Sequence, residues 1–140
     1  MHFDTPLEKC YFEQYVLNVA IATLEKGIAT SKLDTYQFLR PVDAWGFPKY
    51  PGKTAILPPN ADLVKSLTEF IYANETYLRE PDSWLGTWIN PRTQYCYLDI
   101  TTSCADLEEA RKAAITIGER EGRKIIALYN SKWEQTVYLS

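Results

Sequence analysis

The sequence predicts an α+β fold: two N-terminal helices followed by a ββαββ unit, with a mixed four-stranded sheet in a two-layer sandwich. Three observations predict it. Thr5-Pro6-Leu7-Glu8 opens a long helix, Gln94 to Thr101 alternates polar and apolar residues, and a helical period then separates that strand from a second apolar run.

The first helix starts where a Thr cap, a Pro at the first helical position and a Glu three residues after the cap coincide. Thr and Glu each satisfy an orphan backbone donor, and the missing N–H of Pro costs nothing there. The helix runs from Pro6 to about Lys26, where Gly27 takes the left-handed cap. Leu7, Tyr11, Phe12, Tyr15, Val19, Ala22 and Leu24 cover more than one stripe, so the helix is expected to be well buried or to meet two neighbours.

From Leu33 to Pro59 the helical period disappears among Pro41, Pro48, Pro51, Pro58 and Pro59, with Gly46 and Gly52 between them. Proline stiffens each step and removes a donor, which predicts an ordered, irregular loop with one short strand near Lys53–Leu57. Asn60 is expected to cap a second helix, with Asp62 in its first turn and Leu63, Leu67, Phe70 and Ile71 on its apolar face. That helix ends before Pro81.

Leu85 to Ile89 reads as a strand, Asn90-Pro91-Arg92-Thr93 as a turn, and Gln94 to Thr101 as the returning strand. Cys96, Leu98 and Ile100 point one way, and Tyr95, Tyr97 and Asp99 the other. Asp106 to Glu109 opens the third helix, which Gly122 stops. Ile125 to Tyr129 and Thr136 to Leu139 form the last two strands. A strand–helix–strand crossover of this length places its strands parallel, hence the mixed sheet. One domain spanning 1–140 is expected, with a helical half at 1–80 and the ββαββ half at 81–140.

Composition narrows the function. The chain is 46% hydrophobic and 24% charged, which is ordinary for a globular domain, and its 14% aromatic content favours order. A net charge of −3 lacks the basic surplus that displaces counterions from phosphates, which speaks against nucleic acid. The cluster Arg111, Lys112, Arg120, Arg123 and Lys124 is interleaved with Glu108, Glu109, Glu119 and Glu121, and reads first as a solvated face. Weak nucleic-acid binding through it is an alternative. Three cysteines without CxxC spacing point to reduced thiols, and neither a signal peptide nor a membrane span is visible. A cytoplasmic protein is expected.

The only histidine is His2, which leaves no His-based triad or zinc set, so neither a metal nor a cofactor is expected. Gly52-Lys53-Thr54 lacks the earlier glycine and the following helix of a phosphate loop. Cys104 precedes the third helix, whose dipole would lower its pKa, but a small buried hydrophobe is the simpler reading. Asp99 is the best candidate acid or base, because a carboxylate beside Tyr95 and Tyr97 on one strand face can hold a raised pKa. A small nucleotide-acting enzyme using Asp99 is therefore a second expectation.

The sharpest constellation is aromatic. Trp45, Phe47, Lys49 and Tyr50 gather in the proline-stiffened loop, and Trp84, Trp88 and Arg92 gather on the hairpin. Flat rings give contact area at low entropy cost, and Arg adds a planar charge. This pattern favours a non-enzymatic binding protein that contacts a small ligand or a protein partner through these seven residues. Against that stands the simpler role of anchoring a long loop to the core.

Gly86-Thr87-Trp88-Ile89-Asn90-Pro91-Arg92-Thr93, continued by Tyr97-Leu98-Asp99-Ile100 and a Glu/Ala/Arg-rich helix, resembles a module of uncharacterised bacterial and phage proteins. The resemblance covers Trp84 to about Asn130, a third of the chain, and implies no activity. Phe47-Pro48-Lys49-Tyr50-Pro51 is similar to a stretch of cyanobacterial hypothetical proteins.

Overall fold

Helix α1, Pro6–Lys26, is capped at both ends in a computed structural model that describes residues 1–139. The Thr5 hydroxyl accepts from the Glu8 N–H, and Gly27 closes the helix with φ +79°, a conformation that favours glycine. Four strands follow before the next helix: β1 (Ile28–Lys32), β2 (Gln37–Phe38), β3 (Trp45–Pro48) and β4 (Ala55–Leu57). Between β3 and β4 the chain makes a 3-10 turn over Pro51–Lys53. Helix α2 (Leu63–Leu78), strands β5 (Trp84–Ile89) and β6 (Cys96–Cys104), helix α3 (Leu107–Glu121) and strands β7 (Ala127–Asn130) and β8 (Gln135–Tyr138) complete the chain.

The architecture is α+β, but the expected arrangement is corrected in three respects. The two N-terminal helices are not consecutive, because β1 to β4 lie between them. The sheet has eight strands rather than four, in the order β2-β1-β5-β6-β3-β7-β8, with β4 continuing alongside β6. Finally, every neighbouring pair is antiparallel. The crossover through α3 does leave β6 and β7 running the same way, as the connection requires. However, β3 lies between them and pairs antiparallel with both, so no parallel ladder forms.

Two smaller expectations shift. Asp62, not Asn60, caps α2, with its carboxylate accepting from the Lys65 N–H at 3.1 Å. Strand β6 starts at Cys96 and runs on to Cys104. The turn at Asn90 forms as expected: the Asn90 carbonyl accepts from Gln94 at 2.7 Å, and its side-chain oxygen from the Arg92 N–H.

Register decides which face each residue joins. Leu85 lies opposite Ile100, Thr87 opposite Leu98, and Phe47 opposite Thr102, so these side chains share one face. All three helices pack on it. Phe12, Tyr15, Val16 and Val19 of α1 and Leu67, Phe70 and Ile71 of α2 join Leu85, Leu98 and Ile100 in one core cluster. Ala110 and Ala114 of α3 join Trp45, Phe47, Ile125 and Leu128 in a second. Each fully buried Leu, Ile or Phe contributes about 1.5–3 kcal/mol relative to exposure. Polar ties sit between these layers: the Tyr15 hydroxyl and Ser31 Oγ are 2.7 Å apart, and burial lifts the Tyr15 pKa to about 12.

Helix α1 turns only one of its apolar stripes inward. It meets two neighbours, α2 and the sheet, as expected, but it is not buried all round, since Leu7, Tyr11, Leu17, Ile21 and Leu24 remain exposed. None of the helices is long and apolar enough to cross a membrane, among the described residues.

Candidate functional site

The opposite sheet face carries no helix, and its composition is unusual for a face left open. Ile28 and Thr30 of β1, Trp84, Gly86 and Trp88 of β5, Asp99 and Thr101 of β6, Gly46 of β3, and Tyr129 of β7 surround a cavity of about 270 Å3. That is just under the usual ligand-pocket range of about 300–1,000 Å3 and has room for about nine waters' volume.

Two glycines and a threonine form part of the floor. Gly86 and Gly46 occupy mid-strand positions on either side of β6, and the Thr101 side chain leans over the place a side chain on Gly86 would take. Thr101 stands between them. A Cβ on Gly86 would fall 2.0 Å from Thr101 Oγ1, and one on Gly46 would lie 3.5 Å from Thr101 Cγ2. Each γ atom of Thr101 thus faces one glycine. A strand glycine of this kind marks close approach of a neighbour, at the cost of weaker local strand propensity.

The walls come from curvature. Trp88 packs on Tyr97 with ring centroids 5.4 Å apart and on Tyr138 at 6.3 Å. The Arg92 guanidinium lies 3.6 Å from the Tyr138 ring centroid. Lys32 Nζ sits 5.8 Å from the Trp84 ring centroid and donates to the carbonyls of Glu80 and Ser83, which holds the other end of β5. Leu39, Val42 and Ala44, from the segment between β2 and β3, complete the apolar lining.

Asp99 is the one charged residue in that lining. It is 9% exposed, and its Oδ1 accepts from the Thr54 hydroxyl at 2.5 Å. Among the described residues no protein donor reaches Oδ2. Ser83 Oγ is the only fully buried side-chain polar atom among the described residues without a partner, so Asp99 Oδ2 keeps some exposure rather than being sealed into packing. Burial raises the Asp99 carboxyl to about 6, against the opposing pull of the Thr54 hydrogen bond and the Arg123 charge. Arg123 itself borders a neighbouring space. Its guanidinium donates to the Thr54 carbonyl at 3.0 Å, and it lines a smaller cavity of about 80 Å3 with Lys124, Ile125 and Tyr97. Pro48, Trp88, Asp99 and Ala127 border both spaces, so the two adjoin through Asp99.

The seven residues expected to form one contact surface separate into three groups. Trp84 and Trp88 line the open-face cavity, and Arg92 lies on Tyr138, outside that lining. Trp45 and Phe47 turn to the helical face and are 8% and 3% exposed, which makes their rings part of the core under α3. Lys49 and Tyr50 form a clamp: Lys49 Nζ pairs with Glu80 at 3.1 Å and Asp82 at 2.7 Å, and the Tyr50 hydroxyl donates to Glu80 at 2.7 Å. That clamp ties the loop after β3 to the turn between α2 and β5. The seven side chains therefore do not form one continuous surface.

Tyr95 lies before β6 and is exposed, so only Tyr97 accompanies Asp99 on the strand face. Cys96 is buried and pushed up to about 11, and burial with Glu109 and Asp106 raises Cys104, opposite to the expected dipole effect. Among the described residues, no group of His, Cys, Asp and Glu is arranged to hold a metal ion. Sequence reasoning missed Gly46, Gly86, Thr101, Thr54, Tyr129 and Tyr138. Gly86 alone carried a signal, as a glycine inside an otherwise bulky strand.

The chain matches no family model, and comparison with curated proteins and with solved structures gives no significant match either.

Proposed function

We propose that the protein binds a small molecule in the cavity of its helix-free sheet face, without catalysing a reaction. The observation that carries this reading is the cavity itself: about 270 Å3, walled by Trp84 and Trp88, with one buried carboxylate at its floor. Mostly apolar lining with a few convergent polar groups is the usual make-up of a ligand site.

A nucleotide is not the favoured ligand. The lining of this cavity includes no Lys, Arg or His among the described residues, and phosphate needs such donors or a helix N-terminus. Acid–base catalysis by Asp99 is the second reading, favoured by its near-neutral carboxyl and its place in the cavity lining.

Ligand-observed NMR with a fragment library tests the main reading. Hits on the native protein should be lost or weakened at least tenfold in Trp88→Ala. An absence of hits, or hits indifferent to both Trp88→Ala and Trp84→Ala, would overturn it.

A further inference from the structure

The chemistry of the cavity narrows its ligand, granted that the cavity binds one. We infer that the ligand is an organic cation: a flat apolar body lying against Trp84 and Trp88, with an ammonium or similar N–H group directed at Oδ2 of Asp99.

The first ground is an incomplete polar set. A carboxylate withdrawn from water needs donors, and Asp99 has one, Thr54, for two oxygens. The described residues supply no other, so the second oxygen is open to a donor brought by the ligand. The second is charge. Asp99 is the only ionised side chain in the lining, so the cavity presents negative charge and no positive charge. The third is the walls. Indole and phenol faces carry the negative part of the ring quadrupole, and a cation within about 6 Å of such a face is attracted to it. Cations already sit near rings here, with Lys32 beside Trp84 and Arg92 on Tyr138, which packs against Trp88.

Arg123 does not fill the same role. It belongs to the smaller cavity, donates to the Thr54 carbonyl, and is absent from the lining of the larger space. Its charge keeps Asp99 more acidic than burial alone would, which helps a carboxylate persist near neutrality.

The charged or titratable groups around Asp99 are Arg123 and Lys124 after α3, Tyr97 on β6 and Tyr129 on β7. Asp99 itself is the group whose carboxyl burial lifts to about 6, inside the range between pH 5 and pH 8. Binding of a permanent cation should therefore weaken about tenfold on going from pH 8 to pH 5, as the ionised fraction of Asp99 falls.

The test uses isothermal calorimetry on the full chain with three probes of similar shape: tryptamine, 3-ethylindole and indole-3-acetate. Tryptamine should bind at least tenfold more tightly than 3-ethylindole at pH 8, and indole-3-acetate should bind least. Asp99→Asn, with folding checked by thermal melting, should remove the preference for tryptamine and leave 3-ethylindole unchanged. Equal binding of tryptamine and 3-ethylindole, or a preference that survives Asp99→Asn, would overturn the cation while leaving the cavity as a ligand site. Fragment hits that map to other surfaces, with none of the three probes bound, would overturn both.

Discussion

Trp88 and Tyr138 touch with ring centroids 6.3 Å apart, although their strands, β5 and β8, are four places apart in the sheet. In a flat sheet four inter-strand steps span about 19 Å. The contact exists because the β7–β8 hairpin curls over the helix-free face. Curvature, together with the segment between β2 and β3, therefore encloses the cavity, and Arg92 on Tyr138 extends the same column of rings.

It follows that Tyr138→Ala should loosen one wall of the cavity without unfolding the central strands. Hydrogen exchange should quicken in 127–138, and protection in β5 and β6 should hold. A double-mutant cycle of Trp88→Ala and Tyr138→Ala should give a coupling of about 0.5–1.5 kcal/mol. Zero coupling would mean that the rings merely lie near each other.

Trp45 and Arg92 should behave in opposite ways. Trp45 is in the core under α3, so Trp45→Ala should cost about 3–5 kcal/mol of stability, read as a lowered urea midpoint. Arg92 lies at a turn with its charge over one exposed-side ring, and Arg92→Ala should cost no more than about 1 kcal/mol. A Trp45→Ala variant as stable as the native chain would show that its burial is not what holds α3 to the sheet.

This contrast shows what the sequence could convey. Helix ends were readable because capping is local: Thr5 with Glu8, Asp106 with Glu109, and glycines at Gly27 and Gly122 all act within a few residues. The alternation of β6 was equally local. Strands β1 and β3 were not readable. Ile28-Ala29-Thr30-Ser31-Lys32 follows the Gly27 cap at once and is too short and polar to show a period, and Trp45 to Pro48 sits among prolines and a glycine. Pro48 is tolerated because it ends β3, beyond the two residues that also pair with β7. Which face Trp45 and Phe47 join is set by pairing with residues more than fifty positions away, and periodicity carries no information about that. The same holds for the cavity. Asp99 was legible as a strand carboxylate, but its solitude and its Thr54 partner arise only when β4 and β6 meet.

Gly86→Ala tests whether the cavity is built or incidental. The new Cβ would fall 2.0 Å from Thr101 Oγ1 and 3.1 Å from Thr101 Cβ, so turning the hydroxyl away still leaves a tight contact. Overpacking of this kind costs about 1–3 kcal/mol. Adding Thr101→Ala should restore part of the loss, since the clashing oxygen is removed. Gly86→Ala as stable as the native chain, with no gain from the second change, would show that Thr101 rearranges freely and that glycine is not required there.

The pH dependence of stability should carry the mark of Asp99. Its carboxyl has an ordinary value of 3.8 and rises to about 6 in the folded chain, mainly through burial. Between those values the folded state holds a proton that the unfolded state has released, so stability falls as pH rises from about 4 to about 6 and levels off above. A difference of this size corresponds to about 3 kcal/mol. Glu80 and Asp82 work in the other direction: contact with Tyr50 and Lys49 lowers their carboxyls, so their contribution is lost as pH falls below the ordinary carboxylate range. Both are largely screened by solvent, and their effect is correspondingly small. Asp99→Asn keeps an acceptor for the Thr54 hydroxyl and removes only the charge. Its melting temperature should match the native protein at pH 4 and exceed it by several degrees at pH 8. An equal offset at both pH values would mean that the ionised carboxylate is tolerated without strain. The cavity would then be wetter at its floor than the burial of Asp99 indicates.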